Sequence, residues 1–399
     1  MSRPLGKVPD LLPSSFSVQQ RPLRPLWAQP PTPASTKNTP SCNTTPSNNT
    51  NNTNNTNLNV PSQTARTTPS SSYPRAPWSN RLTLVGHVGP VLTVCLNEAG
   101  SHVLSGGQDR TVRLWNPRNP DTNKNLLATF NDGRITHAIA DIAVLPGSKQ
   151  FVTCGGTTRA LLWDLNTKQL TRKFNGHSLR VNCVEHGASG DVLFTGGYDR
   201  LIVAHDLRSR TEVQTLPKCK DSVESIAIVG TDIVASDANG CMYTFDVRTG
   251  TLRIDNYHTP IGYFKISPDQ RCAALSCQDG KVRLVERSSG LLLSTFQGAH
   301  VTTDFKIGCT FVNHGSVVVT GSEDGNIVMY DTVTEKIHGV LPKQVVDDVR
   351  DSGSSFRAHR RASPDNPEVT AVCTLGTSRD YGFFISGSYD GTISVWYKN

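Results

Sequence analysis

Eleven histidines, ten cysteines and 33 acids give this 399-residue chain ample material for acid–base, metal or thiol chemistry. Their spacing assembles none of it. The cysteines form no CxxC pair and stand at no zinc spacing from a histidine. The chain has no GxxxxGK phosphate loop, no HExxH, no GxSxG and no dinucleotide fingerprint. His205 fills a slot that sister segments give to aromatic residues, so a core or rim side chain is expected there in preference to a base or ligand. The chain therefore reads as a non-enzyme, with no catalytic residue, no metal and no cofactor. The chemistry that remains is regulatory. Arg357, Arg360 and Arg361 precede Ser363-Pro364, a context suited to a basophilic or proline-directed kinase. A phosphate on Ser363 would set up to about two negative charges beside those arginines and order the loop.

The elements that must position such groups repeat. A small polar loop, a turn and a strand recur seven times, as SGGQDRTVRLWN, CGGTTRALLWD, TGGYDRLIVAHD, SDANGCMYTFD, SCQDGKVRLVE, TGSEDGNIVMYD and SGSYDGTISVWY. In each copy a turn residue stands six positions before a bulky one, from Asp109/Trp115 through Asp199/His205 to Asp390/Trp396. The anchors 115, 163, 205, 245, 285, 330 and 396 lie 48, 42, 40, 40, 45 and 66 residues apart. A period near 40 with alternating apolar strands predicts propeller blades, each a four-stranded sheet. The expected fold is all-β: a seven-bladed β-propeller with a disordered N-terminal tail. Residues 81–87 are expected to complete the last blade and leave no open seam. An enzyme built on this ring would gather perturbed titratable groups in the central channel, which the sequence gives no reason to expect.

Composition divides the chain at residue 80. Residues 1–80 hold Asp10 as their only acid against seven lysines and arginines, so about +6 of the formal +7 belongs to the tail. The high pI is therefore weak evidence for a nucleic-acid site on the propeller. The tail is Pro-rich to about Pro33 and nearly pure Asn, Thr, Ser and Pro from Asn38 to Asn59, with nothing to bury. Residues 81–399 form the propeller, interrupted at 343–368 by an insertion expected to be mobile and to emerge on the face of the Gly-His dipeptides. No apolar stretch is long enough for a membrane span. Cys95, Cys183, Cys309 and Cys373 sit at matching places in the second or neighbouring strand of their blades, as reduced core residues in a reducing compartment. Nucleus, cytoplasm or both are the expected locations.

Within blade one, Asp109 is expected to accept from the His87 ring, whose other nitrogen reaches Ser105, which meets the Trp115 indole. Here the chain resembles the WD-repeat family: Gly86-His87 and Gly176-His177 match its dipeptide, and Trp163-Asp164 its terminal pair. Blades lacking these residues should be less stable or more tailored. Several blocks, among them LTRKFNGHSLRVNCVEH, FDVRTGTL and TPIGYFKISPDQRCAAL, resemble the mitogen-activated protein kinase organiser family across residues 82–335. That resemblance implies a non-catalytic scaffold in a pre-mRNA-splicing assembly, or alternatively a scaffold of a kinase cascade. Asp206-Leu-Arg208 and Asp246-Val-Arg248 resemble a motif by which some WD-repeat proteins dock a cullin-ligase adaptor, which adds a third alternative, a ubiquitin-ligase substrate receptor; turn capping is the plainer role. The expected partners are other proteins of a multiprotein, ribonucleoprotein assembly, met by a monomer with no nucleic-acid site in the propeller. Side chains flanking the turn acids should project on one face, which selects Gln108, Tyr198, Gln278, Glu323 and Tyr389, with Arg110 and Arg180 nearby.

Overall fold

A computed structural model describes residues 13, 15–20, 73–74, 76–342, 372–377 and 382–399, with breaks at 120–123, 134, 148 and 209–211. Among these residues the strands pair into seven sheets, which makes the protein a seven-bladed β-propeller. Blade one runs Val91–Leu96, Val103–Gly107, Val112–Trp115 and Leu126–Phe130, each strand antiparallel to the last. Its strands are rich in β-branched residues because both faces are covered by neighbouring blades; the strand Ile202–Asp206 of blade three is buried at every position. The apolar clusters lie between sheets. Leu104, Val112 and Phe130 of blade one pack with Ile142, Phe151 and Trp163 of blade two. There Phe130 meets Phe151 edge-on at 4.9 Å, and Phe151 stacks on Trp163 at 6.1 Å.

The ring closes by joining its two ends. Trp78–Val85 pairs antiparallel with Thr392–Lys398, in the register Leu82↔Val395, Leu84↔Ile393 and Val85↔Thr392. The expected outer strand of the last blade is therefore there, and it begins three residues before residue 81. Trp78 is buried and packs edge-on against Phe384 at 5.1 Å, while the Pro74 carbonyl accepts a bond from the Val340 amide at 3.1 Å. A Cβ on Gly339 would come within 2.5 Å of the Ala76 backbone, so this stretch lies hard against blade six.

A second difference lies further upstream. Ser17–Gln20, expected within the tail, pairs in parallel with Thr251–Asn256 and makes blade four five-stranded. The Pro-rich surroundings hide a short run, Phe16-Ser17-Val18, that has strand character and one large apolar side chain to bury.

Cys95, Cys183, Cys309 and Cys373 all fall in the innermost strand of their blades, the neighbour of the second. Cys95 and Cys183 are free thiols, and burial holds Cys95 up at about 12 and Cys183 well above its usual range. The 343–368 insertion and Ser363 lie outside the described residues. Its roots are the strands Ile337–Leu341 and Val372–Thr377, the outer strand of blade six and the inner strand of blade seven.

Candidate functional site

The face is built by the turn after the second strand of each blade. In blade one the Gly107 carbonyl accepts the Arg110 amide at 3.2 Å, and Arg110 takes a left-handed φ of 64°. That is a tight turn closed by a left-handed residue. Asp109 secures it by accepting the Thr111 amide at 3.1 Å and the Thr111 hydroxyl at 2.9 Å. The same carboxylate meets His87 Nδ1 at 2.9 Å and the Val88 amide at 3.1 Å. His87 Nε2 lies 2.7 Å from Ser105 Oγ, to which Trp115 Nε1 donates at 2.8 Å. All four side chains are thus brought into one chain, and each buried polar atom has a partner when His87 carries its proton on Nδ1. Burial by itself would raise the Asp109 pKa. The bonds from His87, the Val88 amide and Thr111 outweigh it and hold the carboxyl near 2.

Gly107 is required here, since a Cβ on it would stand 2.9 Å from both His87 Nδ1 and the Pro90 carbonyl. Blade three repeats the arrangement with His177 3.0 Å from Asp199 and 2.8 Å from Thr195, whose hydroxyl lies 3.0 Å from His205 Nε2. His205 is a core residue, 2% exposed. Blade four, which lacks the dipeptide, puts Asp237 where blade one has Gly107. Its buried carboxylate accepts the amides of Asn239 at 3.1 Å and Cys241 at 2.8 Å and the Tyr243 hydroxyl at 2.8 Å. In blade six His300 Nδ1 lies 2.7 Å from the Tyr330 hydroxyl. These bonds replace the repeat only in part: Ser236 Oγ in blade four and His300 Nε2 in blade six are buried without a hydrogen-bond partner.

The turn positions are held to the face by one recurring bond. The amides of Gln108, Tyr198, Gln278 and Glu323 donate to the carbonyls of Pro90, Arg180, Pro260 and Val301 at 2.8–3.0 Å; the first three acceptors immediately precede their inner strands, and Val301 lies in the longer loop before Cys309–Val312. Gln108, Arg110, Arg180, Tyr198 and Gln278 are exposed. Arg180 and Tyr198 come together, the guanidinium 4.7 Å from the ring centroid. Glu323 is a correction: it is not a free side chain. Its carboxylate accepts the amides of Thr303 at 2.5 Å, Asp304 at 2.7 Å and Phe305 at 3.2 Å. Burial works against these bonds, which nonetheless lower its pKa. The loop so fixed presents Phe305, whose ring tilts against Tyr389 at 4.9 Å. Missed from the sequence were Val88, 77% exposed, and Leu179, 47% exposed, which follow the two His of the Gly-His dipeptides on the same rim. An apolar residue one or two positions after that dipeptide was the available signal.

The central channel also departs from expectation, because it does hold a perturbed acid. Burial pushes Asp141 up to about 6, against the lowering field of Lys306. Its oxygens accept the amides of Ile142 at 2.9 Å and Val184 at 3.1 Å and the Thr93 hydroxyl at 3.4 Å, which ties the inner strands of blades one, two and three at the axis. Lys306 reaches the Glu224 carbonyl of blade four at 2.5 Å. The neighbouring Cys95 and Cys183 thiols are held up by burial, and the bonds this carboxyl makes to three inner strands are those of a structural tie. Among the described residues no group of three or more His, Cys, Asp or Glu is placed to hold a metal, and no helix is long and apolar enough to cross a membrane.

Asp206 and Asp246 spend their carboxylates on their own turns, accepting the Arg208 amide at 2.7 Å and the Arg248 amide at 2.9 Å. Arg208 itself is well exposed and pairs with Asp191 at 2.8 Å.

A closed ring of seven blades, with acid-locked turns presenting aromatic, arginine and apolar side chains on one rim, defines a protein-interaction scaffold of the WD-repeat type. The family described as WD domain, G-beta repeat matches residues 78–116, 168–206, 290–331 and 351–397. The WD repeat domain-containing protein 83 homolog of Dictyostelium discoideum is 26% identical over 344 residues, covering 78% of this chain and 96% of that protein. WD repeat domain-containing protein 83 of Rattus norvegicus is 30% identical over 276 residues, 69% of this chain and 85% of its own. An uncharacterised WD repeat-containing protein of Schizosaccharomyces pombe is 29% identical over 62% of this chain and 81% of its own. The chain belongs to the WD-repeat family, among the relatives of WD repeat domain-containing protein 83.

Proposed function

We propose that the protein is a non-catalytic scaffold of a nuclear pre-mRNA-splicing assembly, and that it grips partner proteins through the rim bearing Arg180 and Tyr198. The observation that carries the use of this rim is the stacked, exposed Arg180–Tyr198 pair next to the exposed Leu179. Aromatic and arginine side chains with adjacent apolar surface are the usual anchors of protein interfaces. The splicing assignment is supported by the blocks of blades three to six that resemble the mitogen-activated protein kinase organiser family. The same resemblance supports a kinase-cascade scaffold as the second reading.

Affinity purification of the tagged protein from cells separates them. The expected result is recovery of small nuclear ribonucleoprotein proteins, reduced at least tenfold by Arg180→Ala with Tyr198→Ala at an unchanged melting temperature. Kinases without splicing proteins would transfer the assignment to the second reading. A cullin adaptor would overturn both. Full recovery by the double variant would move the interface off this rim.

A further inference from the structure

The rim between blades three and four carries a different kind of surface. Thr251–Asn256 is an outer edge strand, and an edge strand offers a row of free amides and carbonyls as a template for another strand. In this protein the template is used. Ser17–Gln20 lies along it in parallel, with Ser17 opposite Thr251 and Gln20 opposite Ile254, and the Ser17 amide donates to the Gly250 carbonyl at 2.7 Å. Phe16 supplies the anchor: its ring meets Phe245 edge-on at 5.4 Å and packs on the apolar cluster of blades three and four that includes Leu216, Tyr243 and Leu252. Blade three contributes the other wall, where Gln214 Nε2 donates to the Pro13 carbonyl at 2.6 Å. Gly250 sets the fit, since a Cβ there would stand 3.2 Å from both Pro13 Cβ and the Ser15 carbonyl oxygen.

This is strand addition with one side-chain pocket, a recurrent way of recognising extended peptides. Its terms are general. Main-chain bonds are indifferent to sequence, and selectivity rests on the aromatic ring. The occupant is also lightly held. It pairs over four residues, residues 13–20 carry no charge, and Val18 is 57% exposed. It is retained as part of the same chain, and a tether replaces intrinsic affinity with an effective concentration of about millimolar or less. A partner segment of the same pattern competes on those terms.

We propose that the groove between blades three and four is a docking site for extended, uncharged partner peptides bearing an aromatic anchor, and that Pro13 and residues 15–20 fill it in cis until such a segment displaces them. The site is separate from the turn-bearing rim and does not depend on the function proposed for it.

The test uses the full-length protein and a fluorescein-labelled peptide of residues 12–21, LPSSFSVQQR, followed by fluorescence anisotropy. Phe16→Ala with Ser17→Pro in the protein removes the anchor and the bond to Gly250, which opens the groove while leaving the ring intact; Phe16→Ala alone serves if the double variant fails to fold. The opened protein is expected to bind the peptide saturably, and the wild type at least tenfold more weakly. A peptide with Ala in place of Phe should lose at least tenfold on the opened protein. Equal binding to both proteins, no binding to a folded opened variant, or indifference to the Phe would overturn the proposal. A wild-type dimer by light scattering that becomes monomeric in the opened variant would assign the strand to a second copy and overturn it too.

Discussion

Burial lowers the pKa of His205 to about 4, and the positive fields of His177 and Arg172 add to the effect, so the ring is neutral at pH 7. The unfolded chain takes up this proton near the ordinary value of 6.5, whereas the folded chain takes it up only near 4. Folded stability is therefore full above about pH 6.5 and is lost as pH falls from there towards 4. For this one group the loss between pH 7 and 5 is about 1–2 kcal/mol. His205→Trp installs the anchor used at Trp115, Trp163 and Trp396, whose indoles donate to Ser105, Thr153 and Ser386 at 2.8–3.0 Å. Thr195 is placed to accept in the same way. Urea unfolding midpoints at pH 7 and 5 should converge in that variant. Part of the dependence should survive, because burial also lowers His300 to about 4. A wild-type midpoint that does not fall between pH 7 and 5 would refute the assignment.

At the level of the turn, the residue after the turn Asp or Asn takes a positive φ in every blade where the hairpin is drawn tight. Blades four to seven use Gly240, Gly280, Gly325 and Gly391, but blades one and three use Arg110 at 64° and Arg200 at 71°. A left-handed non-glycine residue costs about 1–2 kcal/mol, part of which glycine gives back through its looser unfolded chain. Arg110→Gly should thus stabilise the protein by about 0.5–1 kcal/mol in urea unfolding. The turns were legible because the acid-to-anchor spacing of six is local, as was the Asp109–His87–Ser105–Trp115 chain. What escaped depended on partners far along the sequence. Phe16 finds Phe245 from more than two hundred positions away, Trp78 finds Phe384, and Ala76 fits under Gly339. Glu323 looked like its sister turn residues. Only the loop after His300, which folds its amides at 303–305 onto that carboxylate, changes what it does. Asp141 was silent for the same reason, since its charge matters only where three inner strands converge.

For the whole molecule the decisive element is the seam, because a ring differs from a linear stack only by the pairing that closes it. Leu84 sits at that seam, 2% exposed, in a cluster that draws Val91, Val103 and Trp115 from blade one together with Phe383, Ile385, Ile393 and Val395 from blade seven. Truncating it weakens the closing strand and the contact between first and last blades at once. Leu84→Ala should cost about 2–5 kcal/mol, the range for a buried leucine whose cavity relaxes only in part. Where that loss appears tests the architecture more sharply than its size. If the outer strand is a latch on an otherwise complete blade, hydrogen exchange should quicken first at residues 82–85 and 392–395. Exchange in blade four, on the far side of the ring, should stay near wild type. Uniform acceleration in all seven blades would mean that the ring opens as one unit, and the latch would then be no weaker than any other contact in it.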